Sequence, residues 1–201
     1  MTNLFENGTD TLITDDVLYP SDVTVLGIGN IILRDEGFGV RVLEYLDSRY
    51  EFPDSVQLVD GGTLGIELTQ YLTGTKKLLV IDSINGGREP GTTFIFRNDQ
   101  VMSHFQDKLS AHEVGIQDVL ALLSVTGKQI PEIAVIGAQP CSVEAGVELT
   151  DEMRALLPKM AEQALDILKE WGISPTREKA ATPQDLHSVA EEAVKDEFSL
   201  H

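Results

Sequence analysis

Four carboxylates and one imidazole occupy positions in this 201-residue sequence where a metal-binding or acid–base site could form. Asp35 and Glu36 follow the apolar run VTVLGIG, Asp60 and Asp82 each end another apolar run, and His112 lies in the segment KLSAHEVG. Carboxylates gathered in one cleft repel one another, and a bound cation relieves that repulsion. Glu36, Asp82 and His112 would offer two oxygen ligands and one nitrogen ligand, a set that suits a divalent first-row metal such as nickel or zinc.

Each of these residues also has an ordinary structural explanation. Glu36 could be a solvated acid that the dipole of a following helix favours, and Asp82 could cap the turn after it. His112 could be exposed at the start of a helix, and Asp60 could accept hydrogen bonds from the two glycine amides that follow it. Only the joint placement of these residues favours a metal site over these separate roles.

The stretch LGIGN also has the start of a dinucleotide-binding loop. Ile32 stands where the third glycine of GxGxxG is required, and the acids Asp35 and Glu36 would repel a pyrophosphate. Nucleotide binding is therefore the less favoured interpretation. The sequence contains neither HExxH nor GxSxG, and Cys141, with no evident histidine base beside it, is interpreted as a packing residue at the cleft rim.

The elements that must position these residues alternate between strand-like and helix-like patterns. The strands are predicted at DVTVLGIG, SVQLVD, KKLLVIDSI, GTTFIFR and EIAVIGAQP. The helices are predicted at GFGVRVLEYLDSRY, TLGIELTQYLTG, SAHEVGIQDVLALLSVTG and TDEMRALLPKMAEQALDILKEWG. This order predicts an α/β fold of three layers, in which a mostly parallel twisted sheet of about five strands carries helices on both faces. GTTFIFR is expected as an antiparallel edge strand, because the linker before it is too short for a helical crossover.

Such a sheet would bring the candidate residues together, because ligands of open α/β sheets bind beyond the carboxyl ends of the strands. Glu36, Asp60 and Asp82 all follow or end predicted strands. Ser110 and Glu113 form a predicted capping box, which places His112 in the first helical turn. The dipole at that end of a helix disfavours an imidazolium, so the ring is expected to be neutral and able to bind a metal.

Composition limits the remaining possibilities. One domain is predicted over residues 22–171, with a flexible N-terminal arm at 1–21 and a polar C-terminal tail at 172–201. The formal net charge of −18 argues against nucleic acid and anionic membranes as partners. The single cysteine excludes an internal disulfide, and the sequence shows no secretory signal or membrane span. The cytoplasm is the expected location.

Four motifs occur in an order that resembles one known family. GIGNIILRDEGFGVRV, VDGGTLGIEL, VIDSI and KLSAHEVGIQDVL are similar to the corresponding motifs of the maturation endopeptidases of nickel–iron hydrogenases. The resemblance covers roughly residues 23–171. It implies a protease that removes a short C-terminal extension from the precursor of the hydrogenase large subunit after nickel has been inserted.

The resemblance also assigns roles to residues. The metal-contacting positions of the family fall on Glu36, Asp82 and His112, and a further acid of the family falls on Asp60. Nickel would be supplied by the substrate as a recognition element, with no nucleotide cofactor, and a monomer is favoured. The family has been classed with aspartic-type endopeptidases, which makes Asp60, Asp82 and Glu36 the catalytic candidates, acting as a carboxylate pair or beside a metal-assisted water.

Two alternatives stay open at this point. The first is a non-catalytic maturation chaperone that senses the metal in the large subunit without cutting it. The second is a nucleotide-binding α/β domain, which the two glycines of the GIG stretch, Gly27 and Gly29, allow.

Overall fold

A computed structural model describes residue 19 and residues 21–101 and 111–179, with only the backbone described for 111–115. Nearly all of the predicted N-terminal arm and residues 180–201 of the predicted tail lie outside this description. The side chains of the predicted capping box, Ser110 and Glu113, lie outside it as well.

The fold is built on a five-stranded sheet of order β3-β1-β4-β6-β5, and a separate pair joins β2 to β7. The strands are β1 (Val23–Ile28), β2 (Tyr50–Glu51), β3 (Val56–Gly62), β4 (Lys77–Ser83), β5 (Thr93–Arg97), β6 (Glu132–Ala138) and β7 (Arg177–Glu178). Strands β3, β1, β4 and β6 run parallel, whereas β5 pairs antiparallel with β6 at the edge. The predicted fold class and the antiparallel edge strand are confirmed.

Five α-helices and two 3-10 turns surround this sheet in the described chain. The helices are α1 (Phe38–Arg49), α2 (Thr69–Leu72), α3 (Ala111–Val125), α4 (Asp151–Ala155) and α5 (Leu157–Glu170), and the 3-10 turns are Arg34–Gly37 and Ile66–Leu68. None of the described helices is long and apolar enough to cross a membrane.

Helices cover both faces of the sheet because alternate strand residues point to opposite sides. Val25 and Ile81 pack with α1 and α5 in one buried cluster. Leu26 and Val80, their neighbours in the chain, pack with α2 and α3 in a second cluster. We call these two sides the α1/α5 face and the α2/α3 face.

The second predicted helix is much shorter than expected. The segment TLGIELTQYLTG forms only the 3-10 turn Ile66–Leu68 and the single turn of α2. Gly65, with φ −103° and ψ −113°, lies outside helical geometry, and Gly74 with φ +88° ends the segment. Periodic apolar residues at Leu68 and Leu72, both buried, suffice to anchor these turns without a longer helix.

The predicted closing helix is divided into α4 and α5 just before Pro158. Pro158 lies in the first turn of α5, where a missing backbone N–H costs no helical hydrogen bond. The hydroxyl oxygen of Thr150 accepts a hydrogen bond from the backbone N–H of Met153 at 3.4 Å, which caps α4. Beyond α5, β7 pairs with β2, so the first residues of the predicted tail pack on the domain.

Candidate metal-binding and catalytic site

The candidate site lies where the strand order of the sheet reverses. From β1 the chain passes through α1 to β3 on one side, and from β3 it returns to β4 on the other side of β1. The connections that leave β1 and β4 therefore diverge and leave a crevice at the carboxyl ends of these strands. Crevices of this kind are the usual ligand sites of open α/β sheets.

Glu36 lies at this crevice in the 3-10 turn Arg34–Gly37, which packs against β4. Gly29 allows the chain to turn sharply after β1, because its φ of +133° is one that residues with a side chain rarely adopt. A Cβ at Gly29 would also lie only 2.0 Å from the carbonyl oxygen of Glu36. The Glu36 side chain is half-buried. Its position just before α1 also places it near the positive end of that helix dipole.

Gly39 brings the start of α1 unusually close to the sheet. A Cβ at this position would lie 2.1 Å from the carbonyl oxygen of Ile81 in β4 and 2.4 Å from that of Ile28 in β1. Gly39 thus provides the close helix–strand packing that the third glycine provides in a dinucleotide-binding loop. The sequence places this glycine seven residues beyond Ile32, and the acids Asp35 and Glu36 occupy the intervening turn.

Asp82 is the second acid at the crevice, and only 1% of it is exposed. One carboxylate oxygen, Oδ1, accepts a hydrogen bond from the backbone N–H of Ser83 at 2.7 Å. Because Val80 packs on the α2/α3 face, strand alternation directs the side chain of Asp82 to that same face.

His112 lies in the first turn of α3, and its side chain is outside the described residues. Helix α3 packs on the α2/α3 face through Ile116 and Val119. It precedes the parallel strand β6, so it starts at the carboxyl edge of the sheet. Among the side chains that the structure does describe, no three His, Cys, Asp or Glu residues group closely enough to hold a metal ion.

Asp60 ends β3 at the same edge but differs from Asp82 in its surroundings. It is exposed, it pairs in register with Gly27, and its Oδ1 accepts a hydrogen bond from the N–H of Gly62 at 2.9 Å. A Cβ at Gly61 would touch Leu26 on the α2/α3 face, so the preceding residue Asp60 faces the α1/α5 side. The side chains of Asp60 and Asp82 thus leave the sheet towards opposite faces.

Asp35 has a structural role that the sequence analysis did not assign. It is fully buried, and its Oδ2 accepts hydrogen bonds from the backbone N–H groups of Cys141 at 3.0 Å and Ser142 at 2.9 Å. Its Oδ1 accepts one from the N–H of Thr150 at 2.7 Å, and the Thr150 hydroxyl lies within 3.1 Å of both oxygens. Asp35 therefore ties the loop after β6 to the turn that carries Glu36.

Cys141 is half-buried and packs against the cluster on the α1/α5 face. Its backbone N–H, rather than its thiol, contacts Asp35. This arrangement agrees with the predicted packing role of the side chain.

Together, the fold and these acids define an α/β protein with a polar site at the carboxyl edge of its sheet. The family model HycI, hydrogenase maturation protease, matches residues 40–167. The hydrogenase 2 maturation protease of Escherichia coli K12 is 39% identical over 152 residues, which cover 75% of this chain and 93% of that relative.

Solved structures agree with this comparison. The hydrogenase maturating endopeptidase HybD from E. coli superposes with a TM-score of 0.73 at 38% identity, covering 77% of this chain and 97% of that one. A [NiFe] hydrogenase maturation protease, HybD from Thermococcus kodakarensis, gives a TM-score of 0.61 at 26% identity, covering 72% and 97%. The chain belongs to the hydrogenase maturation protease family, a family of peptidases.

Proposed function

We propose that this protein is the endopeptidase that removes a short C-terminal extension from the nickel-loaded large-subunit precursor of a nickel–iron hydrogenase. The observation that carries the proposal is the packing of the turn bearing Glu36 against β4, the strand whose buried end bears Asp82. The direction of α3 favours placing His112 at the same edge of the sheet. The T. kodakarensis relative, a [NiFe] hydrogenase maturation protease, supports the class of substrate.

Nickel enters this proposal as part of the substrate. Glu36 and Asp82 would supply carboxylate oxygens and His112 a ring nitrogen to an ion already held by the precursor, which suits a divalent first-row metal. Their contribution is to hold the scissile peptide in the crevice, which is a positioning effect. A precursor without nickel lacks this attachment and would not be cut.

Asp60 is proposed as the base that accepts a proton from the attacking water. Strand β1 separates β3 from β4, so residues at the same level of β3 and β4 have backbones about 10 Å apart. Together with their opposite orientations, this separation favours different roles for Asp60 and Asp82 over a carboxylate pair that shares one proton. The aspartic-type mechanism is therefore the less favoured version of the proposal.

The reaction is proposed to occur in the cytoplasm. A chain with a single cysteine has no internal disulfide to protect, which fits a reducing compartment.

The deciding experiment incubates the purified protein with large-subunit precursor, either nickel-loaded or nickel-free, and detects a new C-terminus by mass spectrometry. Cleavage of the nickel-loaded form alone is expected. Glu36→Gln, Asp82→Asn and His112→Ala should each lower the cleavage rate at least 100-fold, about 2.7 kcal/mol of lost transition-state stabilisation. Asp60→Asn should lower kcat and leave KM nearly unchanged.

Glu44→Gln is the matched control, because Glu44 is an exposed acid of α1 whose described partner is Arg41. It should cleave at the wild-type rate. Equal cleavage of both precursor forms would contradict the role of nickel, and wild-type turnover by the Glu36, Asp82 and His112 variants would contradict the site. Binding of the nickel-loaded precursor without any new terminus would favour the chaperone alternative.

A further inference from the structure

Six exposed apolar side chains surround the candidate site on three loops at the carboxyl edge of the sheet. We call this set the apolar rim: Ile31 and Ile32 after β1, Leu64 and Ile66 after β3, and Val143 and Val147 after β6. Ile32 is 61% exposed and Val143 54%. Exposed apolar side chains that cluster around a polar site are typical of a surface that binds another polypeptide.

Backbone hydrogen bonds join the three loops into one surface. The N–H of Gly29 donates to the carbonyl of Gly62 at 2.8 Å, which links the loops after β1 and β3. The N–H of Gly146 donates to the carbonyl of Ile32 at 2.9 Å, and the N–H of Arg34 donates to the carbonyl of Gly146 at 2.8 Å. The buried carboxylate of Asp35 adds its bonds to the loop after β6. The rim is therefore organised before a partner arrives, which lowers the entropy lost on binding.

The charge on these loops indicates what kind of partner fits. Residues 29–36, 60–68 and 139–150 contain six acids and a single base, Arg34. The Arg34 side chain is half-buried and lies against Gly146. Asp60, Glu67, Glu144 and Glu148 are all exposed, and Glu148 alone of these four pairs with a described base, Arg154 of α4, at 3.5 Å. An apolar surface edged by carboxylates is complementary to a segment that combines apolar residues with Lys or Arg.

We infer that the apolar rim docks the large-subunit precursor through an apolar segment flanked by basic residues, and so holds the precursor while the cleavage site enters the crevice. This inference rests on the proposed function for the identity of the partner. It assigns binding energy to residues outside the candidate catalytic set, so changes in the rim should alter KM and leave kcat nearly unchanged.

Val143→Asp and Val147→Asp test the rim, and Val125→Asp is the matched control. Val125 is 86% exposed and ends α3, at the opposite edge of the sheet from the crevice. We expect each rim variant to raise the Kd for nickel-loaded precursor, measured by titration calorimetry, and the KM for cleavage by about tenfold. The control should match the wild type in both, and urea unfolding should show that all three variants are folded.

Glu144→Lys tests the charge component, and Glu162→Lys is its control, because Glu162 is also an exposed acid but lies on α5. Only Glu144→Lys should weaken precursor binding, and its effect should shrink as salt is raised.

Unchanged Kd and KM in both Val143→Asp and Val147→Asp would overturn the inference, even with full cleavage by the wild type. If the wild type cleaves nothing, the proposed function fails, and the Kd values still decide whether the rim binds the precursor. A wild-type dimer that Val143→Asp dissociates would instead assign the rim to a second copy of the chain.

Discussion

At the scale of single residues, the neighbouring acids Asp35 and Glu36 have opposite environments and different roles. Asp35 is fully buried and surrounded by N–H and hydroxyl donors, whereas Glu36 is half-buried at the crevice. A buried carboxylate is stable only when donors replace the water it has lost, and Asp35 has four. Asp35 therefore fixes the turn that also carries Glu36.

Asp35→Asn is expected to destabilise the protein by about 2 kcal/mol. An asparagine would place an NH₂ group against one set of backbone donors, either those of Cys141 and Ser142 or that of Thr150. Urea unfolding measures this loss, and faster hydrogen exchange at the three amides would locate it. The same change at exposed Asp151, which pairs with Arg154, should cost less than about 1 kcal/mol. A loss at Asp35 no greater than at Asp151 would contradict the assigned role.

At the scale of elements, the position of α1 depends on the absence of a side chain at Gly39. Replacing a helical glycine by alanine normally stabilises a helix by up to about 1 kcal/mol. At Gly39 the same replacement should destabilise the protein, because the added Cβ would meet backbone carbonyl oxygens of β1 and β4. These oxygens belong to the strands that border the crevice and cannot move without disturbing it.

We therefore expect Gly39→Ala to lower the free energy of unfolding by about 3 kcal/mol and to reduce precursor cleavage. Denaturant unfolding and the cleavage assay measure the two effects. Ser48→Ala, at an exposed position of the same helix, should change the stability by less than about 0.5 kcal/mol. A Gly39→Ala protein as stable as the wild type would show that α1 can shift away from the sheet at no cost.

At the scale of the whole molecule, the excess of acids is the dominant electrostatic feature. The chain has 33 acidic and 15 basic residues. The ion pairs in the described part of the chain, such as Lys76–Asp22, are largely exposed and contribute little to stability. Net repulsion among unpaired carboxylates should therefore outweigh the attraction within these pairs and oppose the compact state.

Raising NaCl from about 0.01 M to about 0.15 M shortens the screening length from about 30 Å to about 8 Å. We expect the free energy of unfolding to rise over this range by on the order of 1 kcal/mol, because screening weakens the repulsion. Denaturation with urea, which is uncharged, measures the free energy of unfolding at each salt concentration. Glu162→Lys should be more stable than the wild type at low salt and should respond less to NaCl. A fall in stability with salt would mean that attractive pairs dominate.

The sequence by itself determined the layers of the fold, because apolar periodicity reports directly on which residues must leave water. The apolar runs around Val25, Leu79 and Ile136 form strands. The closing helix is divided just before Pro158, which lies in the first turn of α5. The short form of α2 could not be read from its apolar pattern, since the geometry of Gly65 overrides it. The pair formed by β2 and β7 joins residues that are far apart in the chain, and two-residue strands carry no periodic signal.

For the candidate site, the sequence determined which acids follow strand ends, and topology rules then place them at one edge. Only the tertiary structure decided that Asp35 turns inward to bind Thr150, 115 residues away, while Glu36 stays at the crevice. It also decided that Asp60 and Asp82 face opposite sides of the sheet and that three separate loops form the apolar rim. These properties depend on contacts between distant segments. Residue type and local spacing do not show which distant segments will meet in the folded chain.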